Sequence, residues 1–313
     1  MDQSNESIVV NELAVVKRFV WIASHNERPM LLPAHLLAAG FEEMPAPLGN
    51  ARWRHDDGVS PLASIMAHLP GASDGWDRYG ELLERSLDGR SVDAIEPAAA
   101  LGAVTARLHA SLATLTEVLL APSAAASEDT VAAWWRRAGN DLDDALSSVD
   151  GDEGARLHGW ERTIRDELRQ LPRRPTTAIP IHGDLHVGQF LRWRGGLAVS
   201  DLDGDPLGPG TLEGPLAKDV ASLVQSIDHV GRIVEARHGV SVAGWIRDAS
   251  DRCLRAYRDE LARLGASWLF EEELLRPLRV AQELHEFLYA ARFLPGWRSV
   301  PDRAIAALLE TEA

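Results

Sequence analysis

Cysteine is almost absent from this sequence. The single Cys253 excludes an internal disulfide and provides no paired-thiol spacing for zinc; within an Ala/Leu-rich helical stretch it reads as a packing residue, not a nucleophile. No apolar run approaches the roughly 18 residues that mark a membrane helix. The polar, acidic N-terminus does not read as a secretory start. Positive charge is also scarce: 47 Asp and Glu against 32 Lys and Arg leave a formal charge of -15 at pH 7. Without a Lys/Arg-rich cluster, neither nucleic acid nor an anionic membrane is an expected partner. These absences describe a soluble chain, expected in the cytoplasm.

The 313 residues suffice for one large domain or two lobes, and no internal repeat is visible. Residues 8–22 read as a hairpin, with Asn11-Glu12 breaking two apolar β-branched runs. Pro29 and Pro33 flank a short expected helix, Ala34 to Ala39, which Gly40 ends. Strands are expected near Leu48–Arg54 and Leu62–His68, before Leu69-Pro70-Gly71. Beyond that point apolar residues recur at helical spacing over Trp76–Leu87, Ala94–Leu120, Thr130–Val149 and Gly154–Leu171, with Ala121–Ser127 as a low-complexity linker. Prolines 172, 175 and 180 then stop the helical pattern. Gly208-Pro209-Gly210 marks an irregular turn, and three more helices are expected at Ala217–His238, Val242–Leu264 and Glu271–Phe293. The pattern is α+β, dividing into a small β-rich lobe over 1–70 and a larger, mainly helical lobe over 71–313.

The prolines lead into His182-Gly183-Asp184-Leu185-His186-Val187-Gly188-Gln189, followed by Val199-Ser200-Asp201-Leu202-Asp203-Gly204-Asp205-Pro206. An apolar and aromatic run with a tight Gly195-Gly196 turn lies between the two acidic loops. Aspartate suits turns, which accounts for one or two of these residues. It does not account for His-Gly-Asp entering the first strand and Asp-x-Asp leaving the second. Phosphoryl transfer from a nucleotide uses this layout: one carboxylate orients the attacking hydroxyl, and a second, with an amide, holds the magnesium that bridges the phosphates. Asp184 fits the first role, Asp201 and Gln189 the second. In so acidic a chain, any phosphate site has to be local and metal-assisted.

These residues resemble the aminoglycoside phosphotransferase and choline kinase branch of the protein-kinase-like fold. In that branch His-Gly-Asp is followed, after four residues, by an amide residue, usually Asn; Gln189 in this place is a departure shared with the maltokinase-like group. The segment Lys218-Asp219-Val220-Ala221-Ser222-Leu223-Val224-Gln225-Ser226-Ile227-Asp228-His229 narrows the match. Gln282-Glu283-Leu284-His285-Glu286, continuing to Leu294-Pro295-Gly296-Trp297, looks like the tail of actinobacterial glucosamine kinases. The resemblance implies a two-lobe kinase-like fold using ATP and Mg²⁺, with direct in-line transfer to the 6-hydroxyl of glucosamine. Alternatives are a maltokinase-like enzyme acting on a neutral disaccharide, an aminoglycoside phosphotransferase, and a non-catalytic nucleotide-binding relative. Lys17, closing Ala14-Val15-Val16-Lys17, would then reach the ATP phosphates; taken alone it better suits an edge strand facing water. Gln3-Ser4-Asn5-Glu6-Ser7 resembles the phosphate-facing loop of maltokinase-like proteins, which makes Ser4, Asn5 and Ser7 candidates. Backbone groups around Met66 and His68 are expected beside adenine.

The chain departs from the family pattern in two places. Maltokinase-like enzymes usually carry a further N-terminal cap before this loop, which here begins at residue 3. The segment after Lys17 also offers no Glu for the lysine–glutamate pair of kinases, since Glu27 precedes Pro29 and Pro33. Among the remaining candidates, His186 either contacts the acceptor hydroxyl or the γ-phosphate, or packs within its loop, and His182 belongs to the loop's framework. Asp203 binds a second magnesium or the acceptor, or caps a turn; Asp205 shapes the turn before Pro206. Asp219 caps a helix or braces the catalytic loop. Gln282, Glu286 and Tyr289 share a helix face, with Glu283 adjacent, and a carboxylate there suits an amino sugar. Trp297 either stacks on the sugar or joins the core.

Overall fold

The computed structural model describes residues 5–20, 27–55, 58–90, 93–171, 174–194, 196–205 and 212–310. Strands β1 (Asn5–Val10) and β2 (Ala14–Phe19) form the expected hairpin. Its tight turn holds Asn11 and Glu12 at φ 49° and 56°, as a mirror-image turn requires at both central positions. Helix α1 (Arg28–Ala38) follows, then β3 (Pro47–His55) and β4 (Gly58–Ala67). The four strands form one antiparallel sheet in the order β1-β2-β4-β3.

The helix expected over 34–39 therefore starts six residues earlier. Pro29 lies in its first turn, where a missing N–H leaves no intrahelical bond unmade. Pro33 sits inside the helix, held there by burial of its neighbours Leu32 and Leu36.

After the sheet come α2 (Gly75–Leu87) and α3 (Pro97–Leu112). The long helix expected to Leu120 stops at Leu112. The stretch read as a linker contains a short strand, β5 (Ala124–Ala126), whose pairing is too remote in sequence to be seen there. Helices α4 (Glu128–Ser148) and α5 (Gly151–Leu168) lead to β6 (Thr176–Pro180), the hairpin β7 (Phe190–Trp193) and β8 (Gly196–Val199), and β9 (Glu213–Gly214). Strand β6 lies between β5 and β9. Gly195, in the expected turn, and Gly208-Pro209-Gly210 lie outside the described residues. Helices α6 (Leu216–His238), α7 (Ala243–Arg263) and α8 (Leu275–Phe293) follow the expectation closely, and α9 (Ser299–Glu310) was not anticipated. Among the described residues no helix is long and apolar enough to cross a membrane.

The main core gathers α1, α3, α6, α7 and the strands around the catalytic loop, including Leu101, Leu108, Phe190, Val224 and Tyr257. Cys253 is buried within it, and burial pushes its thiol up to about 12, consistent with a packing role. Helices α3 and α7 meet at Gly102, where a β-carbon would land on the Cys253 carbonyl oxygen. Overpacking a well-filled core costs about 1–3 kcal/mol. Gly102→Ala is therefore expected to lower the denaturation midpoint in urea with little change in slope; an unchanged midpoint would show that these helices are not rigidly docked.

Candidate active site

A cleft of about 1050 Å³ opens between the sheet and the helices. Ser7, Lys17, Met66, His68, Asp201 and Asp203 line it together with Asp184, His186, Glu286 and Trp297. Ten of the residues singled out from the sequence thus share one cavity. Gln189, Gln282 and Glu283 do not form part of its wall. Ser4 lies outside the described residues, as does the side chain of Asn5.

Strand β6 delivers the chain to His182, and helix α6 fixes the start of the catalytic loop. The buried Asp219 accepts hydrogen bonds from the amides of His182 (2.7 Å) and Gly183 (2.8 Å), and from His109 Nε2 (3.2 Å). Burial opposes its charge, yet the hydrogen bond and charge of His109, with the loop amide, hold its carboxyl below the usual range. Of the two readings of Asp219, the structure shows the brace. His182 ties the acidic loops together. The Ser200 carbonyl 2.9 Å away needs a donor, so Nε2 carries the proton, leaving Nδ1 to accept from the Asp184 amide at 3.4 Å. Burial pushes His182 down to about 4, and it stays neutral. The loop also packs tightly on α2: a β-carbon on Gly75 would strike the Val187 carbonyl, and one on Gly188 would strike the Trp76 indole.

Lys17, one of only two lysines in the chain, contacts Asp201 at 2.5 Å and Asp203 at 2.6 Å. With no glutamate offered by α1, the acid loop itself supplies the lysine's counter-charge. Asp201 adopts φ 58°, a left-handed conformation that Asp tolerates better than most residues. Gln189 is buried, its side-chain nitrogen 3.2 Å from His186 Nε2, and its backbone carbonyl accepts from the Ser200 amide at 2.8 Å. Among the described residues, no group of three His, Cys, Asp or Glu side chains is gathered for a metal. The two carboxylates in the cleft, Asp201 and Asp203, are oxygen ligands suited to a hard cation that keeps waters and phosphates as its other partners.

On α8, Glu286 accepts from Gln282 Nε2 (3.1 Å) and from the Trp297 indole (3.2 Å). Trp297 meets Trp76 edge-on, with ring centroids 5.9 Å apart, and Trp76 lies 5.6 Å from His186. Glu283 is fully buried against His229 (2.9 Å) and Gln225 and faces away from the cleft. The sequence reading missed four residues here: Trp76, His229, His285 and Arg28. His229 and His285 line the cavity, the latter 3.4 Å from Asp205. Gln225 and His229 lie four apart on α6, a spacing visible in the sequence, but their partner Glu283 comes from another helix.

An acid loop gripping a lysine from a small antiparallel sheet, facing a His-Gly-Asp loop across one cleft, defines a phosphotransferase of the protein-kinase-like type. The comparisons agree. No protein-family model matches the chain. A glucosamine kinase of Streptacidiphilus jiangxiensis is 44% identical over 99% of this chain and 72% of its own length, and one from Mycolicibacterium smegmatis is 36% identical over 99% and 78%. The solved structure of a glucosamine kinase in complex with glucosamine, ADP and inorganic phosphate superposes with a TM-score of 0.89 at 41% identity, covering 97% of this chain and 80% of that one. A choline/ethanolamine kinase family protein from Mesorhizobium loti, 14% identical with a TM-score of 0.52, covers 100% of this chain and 87% of its own and shares the fold. The chain belongs to the glucosamine kinase family.

The His229–Glu283 pair makes stability depend on pH. Burial opposes the imidazolium, yet Glu283 raises it from 6.5 to about 9. A raised pKa stabilises the fold fully below about 6.5, and that contribution is lost as pH rises through about 9. The wild-type melting temperature should therefore fall between these values more steeply than that of His229→Gln. Parallel curves would mean that the imidazole is neutral in the folded protein.

Proposed function

We propose that this protein transfers the γ-phosphoryl group of ATP to the 6-hydroxyl of glucosamine in the presence of Mg²⁺. The observation that carries this reading is a single cavity joining the Lys17–Asp201–Asp203 cluster to the Asp184–Glu286 end. The first end suits a nucleotide's phosphates and the second a small amine-bearing acceptor. The same reading sets the lobe boundary near Leu69-Pro70, dividing 1–70 from 71–313. It also places the enzyme in the cytoplasm with a small-molecule partner.

Asp184 is the base. Burial, reinforced by the carboxylates of Asp205, Asp201 and Glu286, pushes it up to about 7, close to the optimum for a group that must both hold and release a proton near neutrality. It orients the sugar hydroxyl and takes its proton as the phosphoryl group leaves ADP in line. Lys17 draws charge from the phosphates once they compete with its present carboxylate partners. Asp201, Asp203 and the amide of Gln189 would hold magnesium, which when bound neutralises charge on the transferring phosphates. Ser7 borders the phosphate end, and the backbone around Met66–Leu69 receives adenine. The amide of His68 already donates to the Leu13 carbonyl at 2.9 Å, so neighbouring backbone groups make the adenine contacts. His186 lies 4.0 Å from Asp184 Oδ2 and borders the acceptor.

Of the carboxylates considered for the sugar's ammonium, Glu286 is the reader. Asp203 is engaged by Lys17, and Glu283 acts behind the wall by fixing His229. Gln282 and the Trp297 indole hold the Glu286 oxygens in place, and Trp297 is positioned with Trp76 for the sugar's apolar face.

Asp184→Asn is expected to lower turnover by about 10²–10⁴-fold, the usual cost of removing an oriented base, with ATP affinity little changed. In the wild type kcat/KM should fall as pH drops below about 7, because the protonated acid cannot accept the hydroxyl's proton. Asp184→Asn activity within threefold of wild type, in ATP assays on glucosamine, would remove the base assignment.

Glu286→Gln should raise the KM for glucosamine by roughly 10- to 150-fold, the equivalent of one charged hydrogen bond, with much less effect on glucose. Equal losses on both sugars would mean that Glu286 does not read the amine, and a neutral-sugar acceptor would then fit better.

A further inference from the structure

Arg28 opens α1 in the small lobe, yet its guanidinium is buried beneath the loops of the helical part. Nη2 donates to the carbonyls of Ile181 and His182, which enter the catalytic loop. Nε donates to the carbonyl of Leu202, between Asp201 and Asp203, at 3.2 Å, and Nη1 to that of Leu212, just before β9, at 3.3 Å. One side chain thus holds backbone from both acidic loops and from the segment returning to α6. Asp184, Asp203, Asp205 and Asp219 surround it closely enough to act on its charge.

The glycines of the two loops are shaped around this side chain. Gly183 and Gly204 have φ +85° and +87°, and a β-carbon on Gly183 would lie 3.4 Å from the Gly204 Cα. The same β-carbon would come within 3.2 Å of Arg28 Nη2, and one on Gly204 within 2.7 Å of Nε. The His-Gly-Asp glycine and the acid-loop glycine therefore face each other and leave room for a planar guanidinium. A lysine keeps the charge but has no fork with which to span several carbonyls at fixed angles.

We propose that Arg28 is a positioning residue that locks the acid loop to the catalytic loop, so that α1 sets the separation of Asp184 from Asp201 and Asp203. Protein kinases use the corresponding helix to give a glutamate to the phosphate-binding lysine. Here the helix gives a cation to the loops, and the acid loop serves the lysine. The kinetic part of the inference rests on the phosphotransfer reading; the structural part does not.

The test compares wild type, Arg28→Lys, Gly204→Ala and the double variant by steady-state kinetics and by hydrogen exchange. Misplacing reacting groups by about 1 Å costs on the order of 10²-fold, so each single variant should lose about that in kcat, with KM for ATP and glucosamine within threefold. Amides in 181–186 and 201–205 should exchange about tenfold faster or more, while α4 and α5 keep their protection. Because both substitutions break one lock, the double variant should lose little more than either alone.

Arg28→Lys activity within threefold of wild type, multiplying losses in the double variant, or unchanged exchange in both loops would overturn the proposal. If wild type transfers no phosphate, the functional reading fails, and the exchange data still decide the lock. Should Arg28→Lys fail to fold, Gly204→Ala provides the same exchange measurement with the arginine in place.

Discussion

Repulsion among carboxylates is the constraint around which this site is built. Asp184, Asp201, Asp203, Asp205 and Asp219 come from two short loops and the start of one helix, and like charges so close would spread the loops apart if left alone. Four of the five are answered locally. Lys17 bridges Asp201 and Asp203, His109 and two loop amides hold Asp219, and His285 stands beside Asp205. Arg28 lies among them as a buried cation, donating to the backbone carbonyls of Ile181, His182 and Leu202. Asp184 has no such partner at hydrogen-bond distance among the described residues, the His186 imidazole lying 4.0 Å away, and burial together with neighbouring carboxylates raises its pKa toward neutrality. The crowding that threatens the loops therefore also tunes the base.

The same arrangement explains how an acidic protein handles an anionic substrate. With a formal charge of -15, the molecule's overall field does not attract a nucleotide. Binding has to come from a few oriented groups at one end of the cleft. In the proposed reading, recognition of an amine-bearing sugar falls to Glu286, where a carboxylate is an advantage.

Much of this was legible in the sequence because it depends on local spacing. The seventeen-residue interval from Asp184 to Asp201 holds the rest of the catalytic loop and one hairpin, β7–β8, which returns the chain to the acid loop. Gln282 and Glu286 stand four apart on α8, and their hydrogen bond follows from helix geometry. The sheet lobe was likewise readable from alternation and turns. What was hidden depends on remote pairing. Glu283, beside Glu286 on α8, reads from the sequence as an acceptor candidate, yet α6 covers it with His229 and Gln225. Strand β5 appeared as a low-complexity linker because three alanines carry no pattern of their own. Arg28 sat beside a proline and was passed over, since its carbonyl partners lie more than 150 residues away. The missing kinase glutamate was visible, but its replacement by the acid loop was not.

The central claim is direct transfer from ATP to the primary hydroxyl of glucosamine within this cleft. It is tested most directly by phosphorus–proton correlation NMR on the product formed from glucosamine, ATP and Mg²⁺. The account requires one new phosphomonoester whose phosphorus couples to the two protons on C6, appearing in step with ADP. Coupling to the anomeric proton, or ADP formation with no sugar phosphate, would contradict it.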